Sequence, residues 1–151
     1  MRVLSTGSVT VMTTYDDAGR CPCGSGETFG LCCARYVASA TGGAAPTAQA
    51  LMRSRYTAFA LGDAAHLLET WHLTTRPPVI DLDLEQRWLH LTVESCSAGG
   101  PFDSAGTVQF IAVYRGPDGR GELHELSRFV RENGRWYYVD GDVVRSPGRG
   151  R

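Results

Sequence analysis

Four cysteines crowded into thirteen positions constrain this chain more than anything else in it. Cys21-Pro22-Cys23-Gly24-Ser25-Gly26 is followed by the pair Cys32-Cys33, with eight residues between Cys23 and Cys32. That is the number of soft thiolates a tetrahedral structural zinc site needs. Pro22 stiffens the first pair, while Gly24 and Gly26 let the backbone curl around an ion and aim its amides at sulfur. A segment this short cannot bury a core of its own. Metal binding must therefore supply most of its folding free energy, on the order of 10 kcal/mol for structural zinc. Redox-active or disulfide-forming cysteines are the competing reading. Iron accepts the same thiolate set, so the cofactor is zinc with iron as the alternative.

The rest of the chain decides the setting. With 151 residues there is room for one core plus a small appendage. A net charge of -1 argues against a broad grip on nucleic acid, which needs a sustained excess of basic residues. All fifteen basic residues are arginine, which excludes lysine chemistry. The first twenty residues hold no apolar run long enough for a signal peptide or membrane helix, so the expectation is a cytoplasmic protein without membrane contact. Met12 is an alternative start.

Residues 1–19 read as a poorly ordered lead-in, 20–37 as the cysteine knuckle, 38–46 as a small-residue linker, 47–142 as the main domain and 143–151 as a disordered Arg/Gly tail. From Thr47, an N-cap, the residues Leu51, Met52, Tyr56, Phe59 and Ala60 recur at helical spacing until Gly62. Asp63 caps a second helix carrying Leu67, Leu68 and Trp71, and Pro77-Pro78 ends it. Residues 82–88 suggest a short third helix. The segments 89–95, 107–115, 122–131 and 136–139 read as strands, with Asn133-Gly134 as a tight hairpin turn. Helices first and an antiparallel sheet afterwards make an α+β fold.

The run Cys-Pro-Cys-Gly-Ser-Gly-Glu-Thr-Phe-Gly-Leu-Cys-Cys resembles the SEC-C zinc motif, in which the last ligand is usually His; here it is Cys33. Arg20 and Arg35 are candidates to balance the extra thiolate. Leu51-Met52-Arg53-Ser54-Arg55-Tyr56, Thr70-Trp71-His72 with Arg76, Glu125-Leu126-Ser127-Arg128-Phe129 and Gly134-Arg135-Trp136-Tyr137-Tyr138-Val139-Asp140-Gly141 extend the likeness to the YchJ-like family of SEC-C proteins. That resemblance implies an NTF2-like (cystatin-like) cone of helices on a curved antiparallel sheet. Some relatives carry a second SEC-C motif, whereas this chain has no cysteine after Cys96, and a usual Pro after Trp-His is Leu73.

Strand alternation puts Glu125 and Ser127 on the face of Phe129, turned inward. A carboxylate facing a core needs a cationic or hydrogen-bonding partner. Arg53, Arg55, His72 and Arg76 are the candidates, either as a polar pocket with Glu125 and His72 or as a buried ion pair that fixes helix against sheet. His124 should face the other side, as a solvated strand histidine. His66 and His90 read as surface or rim residues, Cys96 as a small buried hydrophobe, and Trp71, Trp88 and Trp136 as core.

No complete set of nucleophile, base and orienter is present, so no catalytic residue is assigned. Three functions remain. The leading reading is a protein-interaction module, in which the knuckle presents a rigid turn to another protein as an adaptor; the other two are alternatives. The cone could bind or convert a small molecule. A labile knuckle could handle metal.

Overall fold

The computed structural model describes residues 15–37 and 43–144. Most of the expected lead-in, the first part of the linker and most of the tail lie outside the described residues. Tyr15 to Gly19 belong to the knuckle: Tyr15 meets Phe29 edge-on at 5.1 Å, and the Phe29 amide donates to Gly19 O at 2.8 Å.

Helix α1, Ala48–Leu61, starts where the Thr47 hydroxyl accepts from the Ala50 amide and stops at Gly62, whose φ of 83° a side chain would strain. Asp63 caps the short α2, Ala64–Glu69, by accepting from the His66 amide. Strands β1 (Arg87–Ala98), β2 (Ala105–Gly116), β3 (Gly119–Glu132) and β4 (Arg135–Val143) form one antiparallel meander in that order. All four run longer than the sequence pattern suggests. The expected third helix at 82–88 is absent: a turn around Asp83 leads directly into β1. Asp83 Oδ1 accepts from the Glu85 amide, which favours a turn over a helix. Asn133 and Gly134 have φ of 53° and 78°, as a tight turn between β3 and β4 demands.

The helices cover one face of the sheet. Val108, Phe110 and Ala112 of β2 alternate inward to meet Leu51, Met52 and Tyr56 of α1 in a single buried cluster. All four knuckle cysteines belong to that same cluster. The knuckle is therefore packed onto the cone. Past α2 the chain runs along β4, where the His72 amide donates to Tyr138 O and the Tyr138 amide to Thr70 O, both at 2.8 Å. Among the described residues no helix is long and apolar enough to cross a membrane.

Candidate metal centre and cavity

Two 3-10 turns, Phe29–Leu31 and Cys33–Arg35, aim Cys32 and Cys33 back at the Cys-Pro-Cys corner. That corner is closed by the Cys21 amide on Glu27 O at 2.9 Å and the Gly24 amide on Cys21 O at 3.1 Å. Gly24 and Gly26 stand at φ of 79° and 95°, the left-handed turns the sequence assigns to them. The four sulfur atoms lie within 4.8 Å of one another, and all four cysteines are buried and free of disulfides.

Zinc–sulfur bonds of about 2.3 Å set the edges of a sulfur tetrahedron at roughly 3.8 Å. Cys23 and Cys32 stand at 3.7 Å and Cys32 and Cys33 at 4.0 Å, so the donor set fits a metal ion of that radius. Thiols this close oppose joint ionisation. Hydrogen bonds from Cys21 and Cys33 hold the Cys23 thiol far below its ordinary range, while Cys21 and Cys23 push Cys33 far above it. A dication removes that conflict by accepting all four as thiolates.

The surroundings complete the site. Ser25 Oγ lies 3.2 Å from Cys32 Sγ and Thr57 Oγ1 of α1 lies 3.8 Å from Cys21 Sγ. A cation that reaches the sulfurs comes from α1, from a residue the sequence does not single out for this task. Arg53 of α1 donates to Cys23 O at 2.9 Å and approaches Cys23 Sγ at 3.9 Å. Arg35 instead donates to Cys32 O at 2.9 Å and stacks on Tyr36, and Arg20 is exposed.

A second feature lies between α1 and the sheet, a cavity of about 250 Å³. Its walls are mainly aromatic, with Tyr56, Trp71, Trp88 and Phe129 among them, and it is lined by two charged residues, Arg55 and Glu125. Arg55 is 6 % exposed. Its Nη1 donates to Leu67 O at 2.9 Å and to Thr70 Oγ1 at 2.7 Å, and its guanidinium stacks 5.0 Å from the Trp71 ring and 4.6 Å from that of Tyr138. Burial pushes Arg55 down to about 10, against the opposing fields of Tyr138 and Glu125, so it remains a cation at neutral pH.

Glu125 Oε2 accepts from Ser127 Oγ at 2.7 Å and from Tyr138 OH at 3.2 Å. Burial, and then the neighbouring Glu125, raise the Tyr138 phenol, which keeps its proton and stays a donor. A side chain at Gly141 would overlap the Glu125 carboxylate.

Of the residues expected in this pocket, Arg55, Glu125 and Ser127 meet there. His72 and Arg76 do not. The bridge between Trp71 and β4 turns Trp71 toward the cavity, and the next residue, His72, away from it. His72 Nε2 lies 3.0 Å from Glu132 and its Nδ1 2.8 Å from Thr74 Oγ1. Arg76 is exposed and donates to Trp71 O. Arg53 serves the knuckle. Tyr138, Trp71 and Trp88 went unrecognised as cavity residues. Trp71 and Trp88 are half-buried, because they face an open space, and only Trp136 is fully inside.

Three further expectations change. His66 is buried, with its ring against Ser54. Cys96 is exposed, accepting from Gln49 at 3.3 Å. His124 is on the outer face but half-buried, 2.7 Å from Glu94.

Fold and site together define an NTF2-like domain joined to a SEC-C cysteine motif. The family model for the middle NTF2-like domain of YchJ matches residues 47–141, and the SEC-C motif matches residues 20–35. The chain belongs to this YchJ-like family. It is 51 % identical over 124 residues to a UPF0225 protein of Streptomyces coelicolor, covering 82 % of this chain and 95 % of that one. It is 49 % identical over 127 residues to a UPF0225 protein of Chromobacterium violaceum, covering 82 % of this chain and 93 % of that one. Among solved structures, a SEC-C motif containing protein from Rhodopseudomonas palustris superposes with a TM-score of 0.71 at 38 % identity, covering 83 % of this chain and 98 % of the other. Another from Psychrobacter arcticus gives 0.68 at 27 % identity, covering 86 % and 85 %.

Proposed function

We propose that this protein is a small-molecule-binding cone stapled by a structural zinc ion. The observation that carries the reading is the cavity: apolar walls with a few convergent polar groups are the usual make-up of a binding pocket. At about 250 Å³ it suits a fragment-sized molecule.

The metal's part is structural. Cys21, Cys23, Cys32 and Cys33 fill all four positions of a tetrahedral site and leave none for a substrate. Zinc is preferred to iron because it asks only for a closed thiolate tetrahedron. Burial of the four sulfurs against α1 speaks against a labile metal-handling role. The adaptor reading keeps one observation in its favour: Leu31, on the knuckle's outer turn, is 68 % exposed and offers an apolar contact to a protein partner.

Indole, an apolar fragment, tests the cavity directly. Titrated into the ¹⁵N-labelled full chain, it should shift the indole N–H signals of Trp71 and Trp88 while leaving that of Trp136 in place. Ala112, 2 % exposed and on the cavity wall, offers a control, since Ala112→Leu should fill the space and cancel the shifts. Unmoved Trp71 and Trp88 signals at millimolar indole would contradict the reading.

A further inference from the structure

Arg55 and Glu125 line the same cavity, yet they are not paired. Among the described residues no ion pair joins a carboxylate to the Arg55 guanidinium within 4.0 Å. Holding a buried cation and a half-buried carboxylate apart in one cavity forgoes the attraction that would offset their desolvation.

Each group is nevertheless held in place. Nη1 of Arg55 is committed to Leu67 O and Thr70 Oγ1, and no hydrogen bond to a described residue uses Nε or Nη2. Oε2 of Glu125 is committed to Ser127 and Tyr138, whereas Oε1 has no such partner. Neither group's uncommitted atoms are sealed off, since the buried polar atoms lacking a partner are Asp63 Oδ2, Trp71 Nε1 and His124 Nδ1. Tyr138 spans the two, its ring under the guanidinium and its hydroxyl on the carboxylate.

Resting on the cavity reading above, we propose that the ligand is a flat aromatic or heteroaromatic molecule carrying an anionic or carbonyl acceptor beside an N–H donor, the acceptor on Arg55 and the donor on Glu125. The physical grounds are threefold. The remaining N–H groups of Arg55 form a planar fork suited to a carboxylate or carbonyl. The free oxygen of Glu125 accepts only, so it selects a donor. The aromatic walls favour a ring that stacks or meets them edge-on. A molecule with only one of the two polar groups covers the other group's uncommitted atoms without giving them a hydrogen bond, and that omission is penalised.

Three probes separate these contributions: 2-aminobenzoate, which carries both groups on one ring, benzoate, which lacks the donor, and aniline, which lacks the acceptor. Calorimetric titration of the zinc-loaded full chain should show 2-aminobenzoate binding at least tenfold more tightly than either of the others. Glu125→Gln should abolish its advantage over benzoate while benzoate itself changes by less than about threefold. Because the ranking is measured on the unaltered protein, it stands even if that variant folds poorly. Equal affinities for the three probes, with indole still entering the cavity, would overturn the ligand class and leave the cavity reading intact. Failure of all three probes and of indole would overturn both.

Discussion

His66 sits under α1 with Nε2 2.9 Å from Ser54 Oγ, and Ser54 spends its only proton on Leu51 O at 2.8 Å. The histidine must therefore donate through Nε2, which fixes its neutral tautomer. Burial pushes its pKa down to about 4; Asp63 opposes the shift and Arg55 adds to it. The unfolded chain, with His66 near 6.5, binds a proton that the folded chain refuses between about pH 6.5 and pH 4. Stability thus falls as pH drops through that window and rises as pH returns, with a span on the order of 3 kcal/mol. Urea unfolding at pH 7 and pH 5 should show about 2 kcal/mol of this loss, and His66→Gln should flatten the difference. An unchanged slope in that variant would assign the acid sensitivity elsewhere.

At the scale of elements, α1 links the two sites. Arg53 reaches the knuckle and Arg55, two residues on, lines the cavity. Its start depends on the Thr47 hydroxyl, which accepts from the Ala50 amide at 3.0 Å. Thr47→Ala should lower stability by about 1 kcal/mol in chemical denaturation, whereas a loss below 0.3 kcal/mol would mean that packing alone sets the helix start.

The caps, the Asn133-Gly134 turn and the inward set Glu125, Ser127 and Phe129 were legible in the sequence because each is decided within a few residues. Four strand segments were legible for the same reason, though not their full lengths, which depend on a neighbour to pair with. What the sequence could not show was burial set by distant partners. His66 lies inside because Ser54 of α1 meets it, and Cys96 lies outside although its residue type favours the interior. The choice of Trp71 over His72 for the cavity follows from one bridge to β4, a contact across 67 positions that no local pattern encodes. Arg53 and Arg55 were both candidates for the cavity, but their different duties became distinct only once the knuckle was seen against α1.

For the whole molecule, the central consequence is that knuckle and cone form one core. Cys21, Cys23, Cys32 and Cys33 share a buried cluster with Val108, Phe129 and Trp136 from the sheet. The free energy that a metal ion held there would supply is then available to the whole fold, not to the knuckle alone.

The most direct test is thermal unfolding of the full chain, followed through tryptophan fluorescence, before and after chelation, with metal content measured on each sample. About one zinc per chain, a single transition, and a fall in Tm of more than about 10 °C when the ion is removed are the expected results. A chain that binds no metal, or a cone transition that stays put after the metal is stripped, would contradict the single metal-held core.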